Sequence, residues 1–172
     1  FPTRRSSDLS LLSQMGQHEA SVQLFLEALE NHEEKDEVYF RLGLSYLAWT
    51  KPREAVDMFK KSLEYNAENE NALVELANAL DEIGKIEESI PYYKNFIDQD
   101  PFSYTAWYNL GIAYSKLKQY EKAIDAYEYS LAIEPTFGSS LFNLGNTYMN
   151  LVDYPKAEEA YRLCLKHDEP NP

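Results

Sequence analysis

The chain has 172 residues, of which 44 % are apolar, and its 16 Lys and Arg face 29 Asp and Glu for a formal charge of −13. That apolar content suits a packed core and excludes a disordered tail, while the acidic field repels phosphate backbones and anionic lipid, which argues against nucleic acid or a membrane surface as partner. No run approaches the roughly 18 apolar residues that cross a bilayer, and the single cysteine, Cys164, cannot close an internal disulfide, which fits a reducing, cytoplasmic setting.

In chain order, residues 1–9 read FPTRRSSDL, with two arginines but no apolar segment of signal-peptide type. The stretch resembles instead the translation of a sequencing-library adapter, so that genuine sequence is expected from Ser10. Residues 10–35 include GQHEASVQLFLEALE, an amphipathic run that reads as the second helix of a partial repeat. From there the chain matches itself at an offset of 34, which aligns Gly43 with Gly111 and Gly145, and Tyr46 with Tyr114 and Tyr148. Complete units are predicted over 36–69, 70–103, 104–137 and 138–171. Each holds two apolar stripes at helical spacing, separated by the turn segments TKPRE, GKIEE, LKQYE and VDYPK.

Gly43, Ala77, Gly111 and Gly145 recur mid-helix, where Gly costs about 1 kcal/mol relative to Ala, so close approach of a paired helix is predicted. Pro52 and Pro155 fall near the first turn of second helices, where a missing N–H is tolerated, while Pro101 and Pro135 follow second helices and stop them. Pro91 lies about a turn inside its helix and predicts a late start or a bend.

The clearest unit places Trp107, Leu110, Gly111, Tyr114, Ala123, Tyr127 and Pro135 at the spacing W-x2-L-G-x2-Y, A-x3-aromatic, P. This pattern, four times in phase, resembles the tetratricopeptide repeat family. The resemblance implies an all-α fold, a right-handed helix-turn-helix solenoid in one continuous domain. The last helix keeps Cys164-Leu165 where internal units have Ser130-Leu131, Phe96-Ile97 and Ser62-Leu63, so an exposed apolar strip is expected there, with the array truncated at both ends of the chain.

No catalytic constellation stands out. His18, His32 and His167 are scattered without metal-ligand spacing, and no glycine-rich phosphate loop occurs, so neither enzyme activity, metal nor cofactor is predicted. Acidic pairs such as Glu33-Glu34, Glu87-Glu88 and Glu158-Glu159 are placed in turns or first helical turns, where they suit the helix dipole.

What remains is a surface. In the family, first helices line a concave groove that grips a peptide; carried over by position, the groove residues are Phe40, Leu44, Val74, Asn78, Asp81, Tyr108, Asn109, Ile112, Phe142, Asn143, Asn146 and Met149. The asparagines offer donors and acceptors together, and the aromatics and Met149 offer apolar contact. Chaperone-binding members hold a C-terminal carboxylate with Lys and Arg, but Val74, Ser139 and Asn143 occupy those positions here, so a neutral or basic peptide is the expected ligand. The resulting expectation is a non-catalytic protein–protein interaction scaffold. Two alternatives stay open: the substrate-recruiting arm of a larger glycosyltransferase or sensor kinase, and a structural module that self-associates through its C-terminal helix. The Tyr-rich acidic units resemble those of bacterial repeat proteins.

Overall fold

The computed structural model describes residues 17–29 and 34–168, so the adapter-like stretch and His32 lie outside the described residues. The chain divides into two compact units, Phe1–Lys85 and Ile86–Pro172. Among the described residues all regular structure is helical.

Unit 1 holds α1 (His18–Ala28), α2 (Lys35–Ala48), α3 (Pro52–Tyr65) and α4 (Glu70–Glu82), each packed on its neighbour in sequence. Val22 and Phe25 of α1 close on Val38 and Leu42 of α2, with Trp49 and Met58 at the margin. Phe59, Leu63, Leu73, Leu76 and Leu80 bury the faces of α3 and α4. Unit 2 opens with a 3-10 turn (Ile86–Ser89) and continues as α5 (Ile90–Gln99), α6 (Tyr104–Lys116), α7 (Tyr120–Ile133), α8 (Gly138–Asn150) and α9 (Tyr154–Asp168). The late start predicted from Pro91 is present: the proline stands in the first turn of α5, where its missing N–H costs nothing, and the 3-10 turn takes the residues before it.

The mid-helix glycines have the packing reason expected of them. A Cβ built on Gly145 would stand 2.5 Å from Cε1 of Tyr161, and the rings of Phe59 and Tyr127 press equally close on Gly43 and Gly111. Small hydroxyls mark other crossings. Ser21 shares a hydrogen bond with Ser45 at 3.2 Å, Ser130 shares one with Ser140 at 2.8 Å, and Ser62 donates to the Asp36 carbonyl at 2.8 Å. Cys164 stands at the same offset as Ser62, its Sγ 3.5 Å from the Gly138 carbonyl.

First and second helices are joined by one repeated turn. Thr50, Gly84, Lys118 and Val152, each 34 residues from the next, all have positive φ of 57–72°. The amide after each donates back to the carbonyl five residues earlier, as Lys51 does to Tyr46 and Asp153 to Tyr148, both at 2.9 Å. Only Gly84 is the residue that adopts this conformation without strain. The α4 and α6 starts are capped by side chains: Asn69 accepts from the Ala72 amide and Ser103 from the Ala106 amide. One sequence reading is corrected here. Glu158 and Glu159 lie in the second turn of α9, beyond reach of its dipole end, and Glu158 instead pairs with Arg162 at 2.7 Å.

Candidate functional site

In unit 2 the first helices, α6 and α8, lie side by side, and their shared face holds six of the residues picked from the sequence: Tyr108, Asn109, Ile112, Phe142, Asn143 and Asn146, with Met149 at its edge. The structure ties several of these together. Asn143 donates its amide Nδ2 to the Tyr108 hydroxyl at 3.0 Å, across one repeat. The Tyr161 hydroxyl donates to Asn146 Oδ1 at 2.7 Å. Asn143 and Asn146 are therefore not simply solvated: one donor and one acceptor among their amides are already engaged. Asn143 Oδ1, Asn146 Nδ2 and the Tyr108 hydroxyl hydrogen make no further hydrogen bond among the described residues, whereas the Asn143 backbone carbonyl accepts from Thr147 Oγ1 at 2.7 Å.

An aromatic bed fixes this arrangement. Tyr108 meets Phe137 edge-on with centroids 5.1 Å apart, and Phe137 in turn meets Tyr104 at 4.9 Å. Phe142 tilts over Tyr161 at 5.9 Å yet is exposed, as is Met149. Burial and the neighbouring Tyr108 phenol push the Tyr127 hydroxyl above its ordinary range, so Tyr127 stays neutral beneath the face. Phe137 and Tyr161 were not singled out from the sequence. Tyr161 occupies the slot of Tyr127 and Phe59, which reads as core, and its reach to Asn146 is set by the three-dimensional path of α9.

The charge pattern of this face is distinctive. On its α6 and α8 positions, Thr105, Ser115, Ser139 and Asn150 join the residues above, and Lys116 is the one charged group; no Asp or Glu occurs there. Unit 2's acidic side chains stand on second helices and turns.

Unit 1 carries the remaining predicted residues. Phe40 is half-buried and tilts on Phe59 at 5.9 Å; Leu44, Val74 and Asp81 are half-buried, and Asn78 is exposed. Here charge is present: Arg41 binds Glu37 at 2.6 Å, and Glu75, Asp81 and Glu82 lie along α4. Among the described residues no His, Cys, Asp and Glu group is arranged to hold a metal ion, and no helix is long and apolar enough to cross a membrane.

Comparison with known families agrees with the repeat geometry. Two family models described as tetratricopeptide repeat match the chain, one over residues 104–137 and the other over 36–69, 70–103 and 138–171. The chain belongs to the tetratricopeptide repeat family. Among solved structures, this tetratricopeptide repeat chain is similar to the crystal structure of MamA, with 22 % identity over 91 % of this chain and 92 % of that one and a TM-score of 0.76. MamA 41-end from Desulfovibrio magneticus RS-1 gives 20 % identity, 94 % and 92 % coverage and 0.77. YrrB, "a TPR protein with an unusual peptide-binding site", gives 21 %, 93 % and 82 % coverage and 0.71. At these identities the likeness is one of fold. No curated protein matches the chain in sequence.

Proposed function

We propose that the chain is a non-catalytic protein–protein interaction scaffold whose α6/α8 face binds a neutral peptide segment. The observation that carries this reading is the pair of bonds from Asn143 to Tyr108 and from Tyr161 to Asn146. Each amide is held in one orientation with its other half open, and a peptide backbone supplies the complementary donor and acceptor. Exposed Phe142 and Met149 flank the amides and offer apolar contact for ligand side chains. A terminal carboxylate would meet only Lys116 here, so an internal, uncharged segment is the better ligand. The carboxylates of α4 give unit 1 a bias toward basic segments. The peptide-binding site of YrrB adds analogy. Half-buried Cys164, the single cysteine, suits a reducing cytoplasmic setting.

A displayed library of random peptides tests the reading. Neutral sequences should be enriched on the wild-type chain and lost on an Asn143→Ala/Asn146→Ala variant that keeps its helical circular dichroism. Peptides that bind both proteins equally would sink the assignment.

A second observation favours self-association. Leu63 is buried, 7 % exposed, beneath the helix that follows it, whereas Leu165, the same repeat position, is 67 % exposed on α9. Covering that strip with another copy would remove apolar surface from water. Light scattering over a concentration series should show growth in mass that Leu165→Asp abolishes, and a mass independent of concentration would exclude it.

A further inference from the structure

On the side of α6 opposite Tyr108 and Asn109, unit 2 has a cavity of about 300 Å³ between α5, α6 and α7. The Trp107 indole forms one wall, held by its Nε1 donating to the Pro101 carbonyl at 3.1 Å and by Tyr129 stacked on it at 4.5 Å. Lys94 and Asp98 line the cavity from α5, Lys122 and Asp125 from α7, and Tyr114 from α6.

The repeat one step along the chain shows how such a place is normally closed. There the Tyr148 hydroxyl donates to Glu128 Oε1 at 3.2 Å, tying α8 to the preceding second helix. Tyr114 is the counterpart of Tyr148, but the counterpart of Glu128 is Lys94, whose ammonium has no lone pair to accept with. The Tyr114 side chain is only 8 % exposed, and its hydroxyl has no hydrogen-bond partner among the described residues. Because His18 Nδ1 is the one fully buried side-chain polar atom without a partner among the described residues, the Tyr114 hydroxyl opens onto accessible space at the cavity. Lys122 approaches the same ring, its Nζ 5.5 Å from the centroid.

We propose that this cavity binds a free α-amino acid with a large apolar side chain. The Tyr114 hydroxyl, Lys94 and Lys122 supply donors for the carboxylate. Asp98 and Asp125 take the ammonium, and the side chain lies against Trp107. The mixture of two cations and two anions around an aromatic wall matches a zwitterion better than an ion of either sign. The volume matches a single amino acid and excludes a folded segment. The site is independent of the peptide face on the other side of α6.

Calorimetric titration of the full chain with L-phenylalanine tests this, with 3-phenylpropionate and phenethylamine as ligands lacking the ammonium and the carboxylate respectively. L-phenylalanine should bind saturably, and each analogue about tenfold more weakly or worse. Tyr114→Phe, which keeps the ring, should weaken L-phenylalanine by about tenfold. Lys94→Glu rebuilds the Tyr148–Glu128 arrangement and should abolish binding while raising the melting temperature. Absence of saturable binding in the wild type, or a Lys94→Glu protein that melts cooperatively and binds like the wild type, would overturn the proposal. Equal binding of 3-phenylpropionate would overturn the role given to Asp98 and Asp125.

Discussion

A Cβ added to Gly111 would stand 2.5 Å from Cε1 of Tyr127, a ring that is itself buried and fully surrounded. Helix α7 approaches α6 along this line, and the absence of a side chain at 111 is what allows it. On an exposed helix, Gly→Ala stabilises by about 1 kcal/mol. Here overpacking reverses the sign, and Gly111→Ala is expected to cost about 2 kcal/mol. Urea unfolding of the single variant and of Gly111→Ala/Tyr127→Leu checks this, since shortening the ring should recover part of the loss.

The turn between first and second helices offers a change of opposite sign. Val152 has φ of 63°, a conformation that costs a β-branched L-residue about 1–2 kcal/mol. Val152→Gly is therefore expected to stabilise the chain by about 1 kcal/mol after the entropy cost of glycine. Gly84→Val, at the equivalent turn with φ of 72°, should destabilise by a similar amount. Thermal unfolding of both variants reads the pair.

Alkaline stability depends on Tyr148. Burial, reinforced by the Glu128 carboxylate that accepts its hydrogen bond, pushes its phenol up to about 12. Because the unfolded phenol ionises near 10, the neutral folded form contributes stability below about pH 10, and that contribution is lost as pH rises toward 12. Tyr148→Phe should flatten the fall in urea midpoint between about pH 9 and about pH 11.5. An equally steep fall in both proteins would contradict this.

The hydroxyl pair Ser130 and Ser140, both fully buried, joins α7 to α8. Removing one partner leaves the other unsatisfied, so either Ser→Ala change should cost about 1–2 kcal/mol. The double variant should cost less than the sum, and a double-mutant cycle with no coupling would show that the bond contributes nothing.

Most of the helical frame was legible because it rests on repeated local signals. Gly43, Gly111 and Gly145 announce the close crossings, and Pro91 announces the delayed start of α5. The left-handed turn at Thr50, Lys118 and Val152 was not legible, because three of its four occupants are residues that disfavour it. The resemblance to the repeat family also put Asn143 and Asn146 among the expected groove positions. It could not show that Tyr108 and Tyr161 bind them, since these bonds span one repeat and one hairpin, and a pattern along the sequence carries no distance between helices.

The scarcity of charge on the α6/α8 face has a kinetic consequence. With one lysine and no carboxylate there, long-range attraction does little to bring a partner in, so encounters should proceed at the unsteered rate of roughly 10⁵–10⁶ M⁻¹s⁻¹ and change little with salt. If the proposed peptide binding holds, selectivity among ligands would reside in how long each one stays, and the orientation of Asn143 and Asn146 would set that lifetime.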